Sequence, residues 1–198
     1  FFPEGGSLIS GIPNQVGFKV TGANGLGVDV KGSIIVDGSS EVSLINPSHA
    51  GMGSFYLTPE EGKSYNAKIT FKDGSTKTYP LPKANASGIT LQMTNQNADL
   101  INIKVIANLP YFEANKGKSL YVVAQNNNVV YYAAKATLAS QLILIKLPKK
   151  DFPAGIVQLT LFNDTNTPLS ERLVFLMQPK GINLALQLSD SDLYRRCS

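Results

Sequence analysis

Apolar and polar residues alternate in short runs along most of this chain. Tyr65, Ala67, Ile69 and Phe71 take one side of a two-residue repeat, and Asn66, Lys68 and Thr70 take the other. That is the pattern of a strand with one dry face and one wet face. A run from Gly53 to Thr58 precedes it, separated by a Pro59–Gly62 corner. The order predicts strand, sharp turn, strand, with a tyrosine placed to hydrogen-bond back across the corner.

The same reading predicts strands at Val16–Val20, Gly32–Val36, Glu41–Ile45, Lys77–Leu81 and Ile89–Met93, with turns at Asn24-Gly25 and Asp73-Gly74. Phe1-Phe2-Pro3 reads as a further strand. Beyond these come Ile101–Val105, Leu120–Ala124, Val129–Ala133 across an Asn126–Asn128 turn, Leu142–Leu147, Ile156–Phe162 and Arg172–Met177. Leu142–Leu147 is apolar at nearly every position, which predicts a strand covered on both faces at the junction of two units. No 3.6-residue apolar period lasts three turns, so helix is expected to be close to absent. The expected fold is all-β, built of antiparallel β-sandwiches.

A chain of 198 residues suits two sandwiches, each with its own core. Fourteen of the 17 glycines fall before Asn95, and later turns rely on Asn, Asp and Pro. This shift sets a boundary, giving units at 1–94 and 95–178, with Asn95–Asp99 as the link that fixes their angle. Residues 179–198 read as a linker and the first strand of a third unit, with Ile182, Leu184, Leu186 and Leu188 on one face. That tail and the abrupt Phe1-Phe2-Pro3 opening suggest a piece of a longer protein.

The net charge of +4 is dispersed, and the only basic doublets are Lys149-Lys150 and Arg195-Arg196. A nucleic-acid site needs a basic stripe or stacking platform, so none is expected. No apolar run approaches a membrane span. The single cysteine, Cys197, cannot form an intrachain disulfide.

Several residues in series carry a resemblance: Phe2-Pro-Glu-Gly-Gly6 with Leu8, Gly11–Lys19, Asn24-Gly-Leu-Gly-Val28, Gly51-Met-Gly53, then Phe152–Phe162 with Pro168–Phe175. The series resembles the macroglobulin-type domains of bacterial alpha-2-macroglobulin-like envelope proteins. That likeness implies two tandem immunoglobulin-like sandwiches in an exported protein of the periplasm, outer membrane or cell surface. It implies as partners the other domains of a parent protein, and another envelope protein. Members that trap proteases carry a thioester within Cys-Gly-Glu-Gln, whereas Cys197 is followed only by Ser198, so no thioester is expected here.

Chemistry-bearing residues are sparse. His49 is the only histidine and sits in a turn-rich segment, Gly-x-Ser-x-Gly is missing, and Asp190 with Asp192 lacks the rest of a calcium loop. Gly22, Gly25 and Gly27 lack the lysine and helix of a phosphate loop and read as a hairpin turn. No catalytic residue, metal or cofactor is assigned. The expected function is a noncatalytic, monomeric spacer and protein-binding scaffold. The alternative is a carbohydrate-binding accessory module using Tyr111, Tyr121, Tyr131 and Tyr132, since exposed aromatic rings stack on sugars or anchor partners.

Overall fold

A computed structural model describes residues 1–177. The expected tail strand, Asp190, Asp192 and Cys197 lie outside the described residues. Strands run β1 (Phe2–Pro3), β2 (Asn14–Lys19), β3 (Lys31–Val36), β4 (Ser40–Ile45), β5 (Met52–Leu57), β6 (Tyr65–Thr70), β7 (Thr76–Pro80), β8 (Ile89–Thr94) and β9 (Leu100–Ala107). A short helix, α1 (Leu109–Asn115), precedes β10 (Ser119–Asn126), β11 (Val129–Thr137), β12 (Leu142–Pro148), β13 (Gly155–Phe162) and β14 (Pro168–Leu176).

All ladders between these strands are antiparallel, and the fold is an all-β sandwich architecture. One sheet, ordered β1-β2-β5, faces another ordered β4-β3-β6-β7. Val16, Phe18, Phe55 and Leu57 from the first meet Ile34, Ile45, Ala67 and Ile69 from the second in one buried cluster. A separate cluster joins the sheet β12-β9-β8 to the sheet β11-β10-β13-β14, through Leu91, Ile101, Ile103 and Leu147 against Val122, Leu159, Leu161 and Leu176. The period-2 pattern explains both cores, because each alternating strand can hide only one face.

The corner between β5 and β6 closes as its residues dictate. Tyr65 is buried at the start of β6, and Glu60 N donates to its hydroxyl at 3.0 Å. A Tyr65→Phe variant keeps the ring and leaves that amide without its partner. It should lose about 1 kcal/mol in urea unfolding, and an unchanged midpoint would show that the hydroxyl does not hold the corner.

Two glycines of the resemblance series meet here through close approach. A Cβ on Gly27 would overlap the Ala50 carbonyl, and one on Gly51 would overlap Val20 O and reach 3.0 Å from Gly27 Cα. Around them, Gly25 N donates to Gly22 O and Gly22 N to Leu26 O, so Gly22, Gly25 and Gly27 form a closed turn. The Asn126–Asn128 turn also forms, with Asn127 and Asn128 at φ 48 and 63, the geometry of the tightest hairpins.

Helix is confined to α1, where Asn108 caps by accepting from Tyr111 N and Pro110 occupies the first turn, and to a 3-10 turn at Lys149–Asp151. Two expectations are corrected. Ile89–Thr94 pairs with β9 and buries Ile89 and Leu91 in the second cluster, so Asn95–Asp99 is a hairpin connection inside that unit. The link between units is instead the stretch after β7, residues 81–88. Finally, β12 is an edge strand with one covered face, leaving Leu142 48% and Leu144 62% exposed.

Candidate functional site: the seam and cleft between the two units

The loop between β1 and β2 inserts into the second unit between β8 and β14. Its backbone is first fixed within its own unit: Asn14, buried, accepts from Glu4 N at 3.0 Å and donates to Glu4 O at 2.9 Å. That presents the Glu4 carboxylate and the Gly5 carbonyl to the neighbouring sheets. Met93 N donates to Glu4 Oε1 at 3.1 Å. Ser170 Oγ donates to Gly5 O at 2.8 Å and accepts from Leu91 N at 3.0 Å, bridging loop, β8 and β14.

Arg172 Nε lies 3.2 Å from the same Glu4 oxygen, with the glutamate side chain only 10% exposed. Its N–H is not aligned for a hydrogen bond, so the pair contributes charge attraction without directional bonding. The low exposure makes that attraction stronger than at an open surface.

A second anchor sits beside the linker. Ser10 N donates to Asn85 O and Asn85 N to Leu8 O, both at 2.9 Å. Asn108, 8% exposed, donates to Ser10 O at 3.2 Å and to Ala86 O at 2.7 Å while accepting from Gly88 N at 3.0 Å. One amide therefore ties the first unit, the linker and the N-terminus of α1.

Alongside the seam opens a cleft of about 660 Å³. Ile12 and Pro59 line it from the first unit, and Ile106, Leu109 and Leu142 from the second; among the described residues Glu60 and Glu61 are the only charged side chains in its wall. The outward face of β12 continues this apolar surface through Leu144, which pairs with Lys104 of β9.

The four tyrosines are not gathered into one platform. Tyr111, on α1, and Tyr132 pack against the second core. Burial raises the Tyr111 phenol above its ordinary pKa, and the charge of Asp164 adds to the effect. Tyr121 stands on the opposite face of its sheet from Tyr132, with Lys135 Nζ 5.9 Å from its ring. Tyr131 lies at the sandwich rim, its ring 6.1 Å from that of buried Phe152. His49 is exposed in the turn before β5, where Met52 N donates to its carbonyl. Among the described residues no three His, Cys, Asp or Glu side chains gather into a metal-sized cluster.

Sequence reasoning passed over Glu4, Gly5, Asn108 and Ser170 as site residues. The Asn108-Leu-Pro110 order was a legible helix start; the others lie in seam contacts that no local pattern encodes. Compared with known proteins, the chain matches no protein-family model and no curated protein.

Proposed function

We propose that this chain is a noncatalytic spacer and interaction unit of a larger protein, one that holds two sandwiches at a fixed angle and offers the cleft between them to a partner. The observation that carries this reading is the buried seam. Independent units joined by a flexible tether share few polar contacts, whereas here Glu4, Gly5, Ser170 and Asn108 each bond across a unit boundary. Buried hydrogen bonds of this kind are costly to leave unmade, so they resist hinge motion. The macroglobulin-type motifs extend the proposal to an exported alpha-2-macroglobulin-like parent at the bacterial envelope, a step that rests on those motifs and on the paired-sheet architecture.

Spin labels test the fixed angle. With Cys197 replaced by serine, labels at Ser39→Cys and Lys150→Cys, both on exposed positions, should give one narrow distance distribution in pulsed electron resonance with unlabelled chain in excess. Glu4→Ala should broaden it. A broad distribution in the parent chain would sink the spacer reading.

A further inference from the structure

We propose that β12 is a dimerisation edge: a second copy of this chain pairs with it antiparallel about Leu144, joining two three-stranded sheets into one of six strands. The inference names the partner of the interaction surface just described and rests on that reading. The expectation of a monomer gives way to it.

The backbone of β12 is available. Ala107 N donates to Gln141 O at 2.8 Å, which fixes the alternation of the ladder. Ile143, Ile145 and Leu147 then direct their N–H and C=O groups to β9, and Leu142, Leu144 and Lys146 direct theirs to the open side. Ser140 Oγ already donates to Leu142 O at 2.6 Å, as an outward carbonyl allows. Among the described residues no strand lies along that side.

Unpaired edges normally carry guards against such pairing. The outer strands of the four-stranded sheets do: register breaks interrupt the ladders of β4, β11 and β14, and β7 carries Lys77 and ends on Pro80. The ladder of β12 runs unbroken through seven pairs, and it presents two exposed leucines. Lys146 and the terminal Pro148 guard only its far end.

Charge distribution selects a second copy as the occupant. Among the described residues the only charged ones lining the cleft end of β12 are the carboxylates Glu60 and Glu61, while the distal end carries Lys146 beside Asn102, with Lys104 two pairs in beside the central Leu144. A two-fold axis through Leu144 sets Leu142 of one copy opposite Lys146 of the other, bringing each basic end toward the other copy's acidic cleft. The two Leu144 side chains then face each other at the centre, each flanked along its strand by Leu142 and Lys146 and across the ladder by Lys104, with Ile106 beside Leu142.

Cysteine pairs test this register in a Cys197→Ser background. Leu144→Cys should oxidise to a covalent dimer, because directly opposed residues lie at disulfide distance. Leu142→Cys and Lys146→Cys should each form no covalent dimer alone and cross-link when mixed. In sedimentation the unmodified chain should shift from 21.3 kDa toward twice that mass as concentration rises through about 10 to 500 μM, the weak range of a small interface. Glu60→Lys with Glu61→Lys, both exposed, should raise the midpoint about tenfold without changing the monomer's circular dichroism. A chain that stays monomeric throughout, cross-links without this register, or dimers insensitive to the glutamates would overturn the proposal. The label distances within one chain are independent of these outcomes, so a failed dimer leaves the spacer reading standing.

Discussion

Gly5→Ala should separate the two units energetically while leaving each folded. The residue is buried, at φ +79, and a Cβ there would overlap Thr90 Oγ1, sit 2.7 Å from Ser170 Oγ and reach 3.0 Å from Leu91 O. Rotating Ser170 away would relieve one contact but would forfeit its bonds to Gly5 O and from Leu91 N. Left-handed backbone adds about 1 kcal/mol for a residue with a Cβ, and the lost or strained seam bonds add about 1 kcal/mol each. A total near 3 kcal/mol is expected in chemical denaturation, together with a broadened label distribution. Gly6→Ala is the control: its φ is +98 but nothing lies within 4 Å of the added carbon. It should cost the backbone term alone and keep the narrow distribution. Equal effects of the two substitutions would show that backbone strain, and not the seam, is what Gly5 serves.

The strands were legible because their information is local. In β6 the burial of Tyr65, Ala67 and Ile69 against exposed Lys68 and Thr70 follows the residue types one by one, and the Asn and Gly turns between strands supply the positive φ values their positions require. Where the local signal is silent, the reading fails for identifiable reasons. Leu142-Ile-Leu-Ile gives no alternation to read, so only its placement at a sheet edge decides that two leucines stay in water. Helix α1 has seven residues, too few to establish a 3.6-residue period, and only its cap announced it. Asn95–Asp99 carries turn residues that mark a chain reversal equally well within a unit or between units. The seam is the limiting case: Ser170 and Gly5 are 165 residues apart. Only the folded chain brings the Phe2-Pro-Glu-Gly-Gly6 series against β8 and β14.

Asn108→Ala should be as damaging as the loss of a large core side chain, although it removes only a carboxamide. Its Oδ1 accepts from Gly88 N at 3.0 Å and from Tyr111 N at 3.3 Å, and its Nδ2 donates to Ala86 O at 2.7 Å and Ser10 O at 3.2 Å. An amide has two donors and one strong acceptor oxygen, so every valence is engaged. Alanine removes a helix cap worth about 1 kcal/mol and leaves buried groups on the linker and first unit unpaired at about 1–3 kcal/mol each before relaxation. The net expectation is about 3–4 kcal/mol in denaturant unfolding, with faster hydrogen exchange at Gly88 and Tyr111. Asn108→Asp separates the two halves of the role. A carboxylate still accepts from both amides but cannot donate, and it confronts the Ala86 and Ser10 carbonyls with a negative charge. If the donated bonds to the linker and the first unit dominate, aspartate should be at least as destabilising as alanine at neutral pH. Should aspartate instead restore most of the stability, the residue serves the helix cap, and the tie between units through Ser10 carries little of the fold's free energy.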